Sequence, residues 1–78
     1  MKVTIKYFGL VAEAAEKSEE VLELNGALTA MELKAQCLNG LTIVDKESIQ
    51  IAVNQNLDDI TTLKDGDEVA FLPPFAGG

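Results

Sequence analysis

Apolar and polar residues alternate at the beginning of the chain. Val3, Ile5 and Tyr7 are separated by threonine and lysine, which is the period-two pattern of a β-strand with one buried face. After Gly9, small and apolar residues recur at helical spacing and predict a short amphipathic helix that depends on tertiary packing. The residues on its apolar side are Leu10, Val11, Ala14 and Ala15.

Three further segments have the composition and spacing of strands. Turn-forming residues separate them, namely Asn25-Gly26, residues 54–56 and residues 64–67. We expect Leu57 to begin a short edge strand, and we expect the carboxylates of residues 65–68 to lie in a solvated hairpin turn. The strands are residues 20–24 with Leu22 and Leu24 on one face, residues 49–53 with Ile49, Ile51 and Val53 on one face, and residues 68–72 with Val69 and Phe71 on one face.

The main helix is predicted between a cap and a stop signal. Thr29 and Glu32 have the spacing of a capping box, in which each side chain pairs with a backbone N–H of the first turn. Asn39-Gly40 supplies the left-handed residue that commonly ends a helix. The predicted inward stripe is Ala30, Leu33 and Cys37, with Met31 and Leu38 on its flanks.

The order strand, helix, strand, helix, strand, strand predicts an α+β fold with one dominant helix. We expect a β-grasp arrangement, a mixed sheet of four to five strands packed on the main helix. Pro73 and Pro74 lack backbone N–H donors and should end the sheet. The predicted division is a domain of residues 1–74 and a flexible tail of residues 75–78.

Composition narrows the function. The chain has 78 residues, of which 47% are apolar, and a net charge of −7, so we expect one small domain that binds neither nucleic acid nor anionic membranes. It has no histidine and one cysteine, which argues against a metal site, a disulfide and hydrolase chemistry. We interpret Cys37 as a small buried hydrophobe. Without a signal peptide or an apolar span, the protein is expected in the cytoplasm.

The chain ends in two glycines, Gly77 and Gly78. Without side chains they can pass through a narrow site and leave the terminal carboxyl carbon open to attack. The competing interpretation is a frayed terminus with no role. The Gly78 carboxylate is our candidate reactive group.

Residues 65–78 resemble the carboxyl end of the molybdopterin synthase small subunit family. The members of that family are ubiquitin-like sulfur carriers. Tyr7-Phe8-Gly9 and the run Ala52-Val53-Asn54-Gln55 extend the similarity over the chain. Some members carry an arginine in the first helix, where this chain has Val11 and Ala12.

The resemblance implies a sulfur cycle at Gly78. A ubiquitin-activating-type adenylyltransferase would adenylate the carboxylate with ATP, and a sulfur donor would convert it to a thiocarboxylate. The thiocarboxylate would donate sulfur to a cyclic pterin precursor to form the molybdopterin dithiolene. The carrier, not catalytic alone and with no bound cofactor, would assemble with the large subunit as a heterotetramer of two small and two large subunits. Phe75, Ala76 and Gly77 would thread the partners' active sites.

A docking surface is expected on the face of the sheet away from the core. Phe8, Ala70, Leu72 and Phe75 are apolar at positions that alternation places there. Scattered apolar residues on an ordinary surface are the alternative interpretation.

Two other functions remain open at this stage. One is a sulfur carrier for thiamin thiazole or another sulfur-transfer pathway, although thiazole carriers usually lack the first helix and the double proline. The other is a ubiquitin-like protein modifier joined to lysines through its diglycine end.

Overall fold

The computed structural model describes residues 1–43 and 46–73 of the chain. The predicted tail, residues 75–78, and Pro74 lie outside the described residues, so the division of the chain at residue 74 stays a prediction. The described elements are β1 (Lys2–Tyr7), α1 (Gly9–Ala15), β2 (Glu19–Glu23), α2 (Ala30–Leu38), a 3-10 turn (Lys46–Ser48), β3 (Gln50–Val53), β4 (Asn56–Leu57) and β5 (Glu68–Leu72). None of the helices in these ranges is long and apolar enough to cross a bilayer.

The strands form one mixed sheet in the order β2-β1-β5-β3-β4. β1 and β5 run parallel, and the other neighbouring pairs are antiparallel. The predicted α+β fold, a mixed sheet with one main helix, is confirmed. Because β1 and β5 are parallel neighbours, their carboxyl ends meet at the same edge of the sheet.

The core lies between the sheet and α2. The alternating residues Val3, Ile5 and Tyr7 of β1 are buried, as the sequence predicted. Val69 and Phe71 of β5 are fully buried beside them. Burying an aliphatic or phenylalanine side chain of this kind stabilises the folded state by about 1.5–3 kcal/mol relative to leaving it exposed. The alternating apolar residues of β1 and β5 therefore supply a large part of the stability of the fold.

The predicted capping box begins α2. The Glu32 N–H donates to Thr29 Oγ1 at 3.2 Å, and the Thr29 N–H donates to Glu32 Oε1 at 2.9 Å. After the helix, Gly40 takes a positive φ of 85°, as expected of a stop signal. Leu38, predicted only to flank the inward stripe, is fully buried, whereas Cys37 is half-buried.

The prediction for α1 needs one correction. Leu10 was placed on the apolar side, but its side chain is 43% exposed. In this helix of seven residues, Val11 is the residue with no exposed surface, and Ala12 and Ala15 pack against the core while partly exposed.

Asp65 is exposed, as predicted, but the predicted hairpin at residues 65–68 is wrong, and so is the predicted solvation of Asp67. The strand that follows the turn, β5, pairs with β1 and β3, so the turn does not join two adjacent strands as a hairpin does. Asp67 is only 6% exposed. Its carboxylate accepts the Lys64 N–H at 2.7 Å and the Asn54 side-chain amide at 3.0 Å. These donors, the backbone N–H first, hold the pKa of Asp67 below its usual range.

Candidate functional site

The strand that leads to the chain end is the central strand of the sheet. β5 is hydrogen-bonded to β1 on one side and to β3 on the other. Phe71 lies between Tyr7 and Ile51 in the register, and the Tyr7 and Phe71 rings are 5.9 Å apart and tilted by 47°. The chain therefore leaves the sheet at Pro73 from its most constrained strand.

The predicted reactive and threading residues, Phe75, Ala76, Gly77 and Gly78, lie outside the described residues. Their roles stay predictions. The structure describes the surface from which they extend.

The other three predicted docking residues lie on the face of the sheet opposite α2, which we call the outer face. Ala70 is paired with Lys6 on β1 and with Ala52 on β3, and Leu72 follows two residues later on the same face. Phe8 follows Lys6 by the same spacing. Phe8 is 44% exposed, and Ala70 and Leu72 are half-buried. Docking by these residues stays a prediction.

Sequence analysis missed other apolar residues of the outer face. Ala52 lies between Ala70 and Leu57 in the register, so the three form one row across β5, β3 and β4. Leu57 is 66% exposed, and Val21, which faces Thr4 across β1 and β2, is 62% exposed. Alternation within a strand could have placed Ala52 and Val21 on the face away from the core. Strand register, which alternation does not supply, was needed to bring Ala52, Ala70 and Leu57 into one row.

Charged residues border this apolar row. Lys6 forms an ion pair with Glu68 at 3.5 Å, and both side chains are more than one-third exposed. Lys6 also faces Glu19, and Lys2 faces Glu23. Exposed pairs of this kind contribute little to stability. With the net charge of −7, they favour association with a basic surface.

Cys37 lies on the opposite side of the sheet, close to a polar cluster. The Tyr7 hydroxyl donates to Glu20 at 2.5 Å, and Lys17 Nζ donates to the same carboxylate at 3.2 Å. Burial first, then the hydrogen bond to Glu20, raises the pKa of Tyr7, and burial raises the pKa of the Cys37 thiol. A thiol kept protonated is a poor nucleophile, which argues against sulfur-transfer chemistry at Cys37. Its side chain is partly buried against the core, so it is less buried than predicted. Among residues 1–43 and 46–73, no cluster of three or more carboxylate, thiol or imidazole groups could hold a metal ion.

An open groove lies between α2, the strand β3 and the edge strand β4. Exposed Met31 and Leu57 lie along it, together with Asp58 and Asp59. Lys34 Nζ is engaged there by the Ile49 carbonyl at 2.7 Å. The groove does not include any predicted site residue.

Known sequences resemble this chain along its whole length. A model of the ThiS family matches residues 5–78. A molybdopterin synthase sulfur carrier subunit of Mycobacterium tuberculosis is 38% identical over 86 residues, covering 100% of this chain and 99% of that protein. The corresponding subunit of Chlamydomonas reinhardtii is 34% identical over 83 residues and covers both chains completely.

Solved structures agree with the fold. A putative molybdopterin converting factor subunit 1 of Pyrococcus furiosus gives a TM-score of 0.80 at 29% identity, covering 96% of this chain and 99% of that chain. A complex of subunits 1 and 2 of the Helicobacter pylori molybdopterin-converting factor contains a chain with a TM-score of 0.64 at 29% identity, with full coverage of both. Small archaeal modifier protein 1 of Methanosarcina acetivorans gives 0.73 at 26% identity, covering 99% and 96%. The predicted ubiquitin-like β-grasp fold is confirmed.

Proposed function

Because the chain belongs to the ThiS family, we propose that it is the sulfur carrier subunit of a molybdopterin synthase and carries sulfur on the Gly78 carboxyl group. The observation that carries the proposal is a family match that extends to residue 78 and so includes the terminal glycines. Two relatives that align over the whole chain are named as this subunit.

The terminal carboxylate must first be activated, because a carboxylate oxygen is a poor leaving group. A carboxylate oxygen of Gly78 attacks the α-phosphorus of ATP, and pyrophosphate leaves. A sulfide equivalent then attacks the acyl carbon, and AMP leaves with the activated oxygen. The product is a thiocarboxylate at Gly78. ATP is the co-substrate of a ubiquitin-activating-type adenylyltransferase, and the carrier itself binds no cofactor.

The thiocarboxylate suits a chain that has no histidine. It is anionic at neutral pH, so no neighbouring base is needed to make it nucleophilic. Its sulfur attacks a carbon of the pterin precursor, an oxygen substituent leaves that carbon, and a thioester forms between Gly78 and the precursor. Water then attacks the acyl carbon of Gly78, the sulfur leaves with the precursor as a thiolate, and the Gly78 carboxylate is regenerated. Two carriers in turn supply the two sulfurs of the dithiolene. The catalytic groups for this step belong to the large subunit.

The outer face is the proposed docking surface for the large subunit. Half-buried Leu72 on this face directly precedes Pro73, so a partner seated there would lie beside the start of the tail. The Helicobacter pylori homologue has been solved in complex with subunit 2, which supports the same kind of partner here. We propose a heterotetramer with two carriers and two large subunits.

Intact mass tests the proposal. The protein is incubated with ATP, the adenylyltransferase and a sulfide source, and the expected gain equals sulfur minus oxygen. Fragmentation should place the gain on Gly78. Addition of the large subunit and the pterin precursor should then reverse the gain and yield dithiolene product. Sulfur loading without dithiolene formation would assign the carrier to another pathway, such as thiamin thiazole synthesis.

A protein modifier is the second candidate. The match to small archaeal modifier protein 1 of Methanosarcina acetivorans favours it. In that case Gly78 would form an isopeptide bond with lysines. Incubation with ATP and cell extract would yield conjugates whose tryptic peptides carry a remnant of the chain end on lysine.

A further inference from the structure

Gly9 and Pro73 approach each other closely where the tail begins. Gly9 is the first residue of α1 and has a φ of +55°. A Cβ atom built on Gly9 would lie 2.9 Å from Cγ of Pro73, and real Cβ atoms essentially never come so close to another heavy atom. The position therefore requires glycine for two reasons, its backbone angle and its contact.

Pro73 has little freedom to move away. Its ring fixes φ, and it follows directly on Leu72, the last residue of the central strand β5. β5 is paired on both sides up to Phe71, which faces Tyr7 and Ile51, and Leu72 is still paired with Gln50 on one side. A side chain at residue 9 would thus have to displace the first residue after the sheet.

We propose that Gly9 is a positioning residue for the carboxyl-terminal tail. By letting the Pro73 ring lie against the first turn of α1, Gly9 sets the direction in which the chain leaves the sheet toward the partner active sites. The inference rests on the proposed function, in which Gly78 must reach those sites. Parallel pairing of β1 and β5 brings the two residues to one edge.

Other glycines of the chain provide matched controls. Gly26 has a φ of +91° and Gly40 a φ of +85°, and a Cβ at either would meet nothing within 4 Å. Alanine at these positions suffers the backbone penalty of a positive φ without a collision. Their φ angles lie further than that of Gly9 from the left-handed minimum near +57°, so backbone strain alone predicts that Gly9→Ala is the mildest of the three.

Thermal unfolding tests the contact. Gly26→Ala and Gly40→Ala should each lower Tm by about 4–8 °C. Gly9→Ala should lower Tm by roughly twice as much. Pro73→Ala removes the ring, which leaves only Cβ of residue 73 at 3.6 Å, so it should recover most of the additional loss in the Gly9→Ala/Pro73→Ala double variant. If Gly9→Ala lowered Tm by no more than the two control variants do, the proposed collision with Pro73 would be wrong.

Rates of ATP-dependent thiocarboxylation test the positioning role. Gly26→Ala should match the parent in kcat/KM, whereas Pro73→Ala and Gly9→Ala should each lose about tenfold, because misplaced reacting groups lower the rate. The double variant should regain Tm but not kcat/KM. If the double variant regained both Tm and kcat/KM, or if Pro73→Ala were as active as the parent, the contact would serve folding only. That result would overturn this inference but leave the proposed function standing. A parent that gains no sulfur would overturn the proposed function and the inference with it.

Discussion

The two faces of β5 differ sharply, although their residues alternate along a single strand. Val69 and Phe71 have no exposed surface and lie in the core. Ala70 and Leu72 are half-buried on the outer face. The inner residues hold the fold together, and the outer ones lead to the surface beside the tail. Substitutions at neighbouring residues of β5 should therefore have different effects. A change on the inner face should lower stability, and a change on the outer face should weaken the proposed partner binding.

The sharpest separation is expected between Phe71 and Leu72. Phe71→Ala should lower the free energy of unfolding by about 3–5 kcal/mol through lost burial and a cavity. Leu72→Ala removes a half-buried side chain and should cost about 1 kcal/mol or less. Urea denaturation of both variants measures the difference. Equal costs would mean that the outer face contributes to the fold as much as the core.

The reverse ordering is expected for partner binding. Leu72→Glu places a charge in the apolar outer face and should weaken association with the large subunit by about 2–4 kcal/mol. Adenylation should change little. Calorimetric titration with the large subunit measures the effect, and Phe75→Glu is the companion variant. As a control, Met31→Glu alters an exposed apolar residue of α2, the helix on the opposite side of the sheet from the outer face. Unchanged binding by Leu72→Glu would remove the outer face from the interface.

A smaller effect on stability is expected from the buried carboxylate before β5. Asp67→Asn keeps the shape but cannot accept both hydrogen bonds, and it should cost about 1–3 kcal/mol at pH 7. Because the folded pKa is lowered, this stabilisation is fully present above the unfolded pKa of about 3.9 and is lost as the pH falls through the folded pKa. Chemical denaturation between pH 7 and pH 3 should show the gap closing. A gap that widens on acidification would contradict the assignment.

The smallest of the effects is expected at the start of α2. Thr29→Ala removes the cap acceptor for the Glu32 N–H and should cost about 1 kcal/mol. Tm should fall by about 4–8 °C, with thiocarboxylation unchanged below the melting range. Reduced sulfur loading at full folding would show that α2 serves the site as well as the core.

The elements that sequence predicted correctly depend on local patterns. Alternation gave the buried face of β1, and the spacing of Thr29 and Glu32 gave the start of α2, because each pattern needs only residues that are near in sequence. Prediction failed where contacts between residues distant in sequence determine whether a side chain is buried. Asp67 is buried because Asn54, thirteen residues away, donates to it, and no local pattern records that bond.

The candidate site divides in the same way. Ala70 and Leu72 could be placed on the outer face by alternation alone. The row through Ala52 and Leu57 required the strand order and register, which depend on how distant segments pair. The approach of Gly9 to Pro73 required the parallel pairing of the first and last strands. Gly78 was identified from chain-end chemistry, and its role stays a prediction.

Shortening the chain by one residue tests the central claim most directly. A variant that ends at Gly77 should keep the Tm of the parent, since none of the described core residues is altered. It should fail to support thiocarboxylation and dithiolene formation when the adenylyltransferase, the sulfide source, the large subunit and the pterin precursor are supplied. Dithiolene formed at the parental rate by this shortened chain would contradict the account.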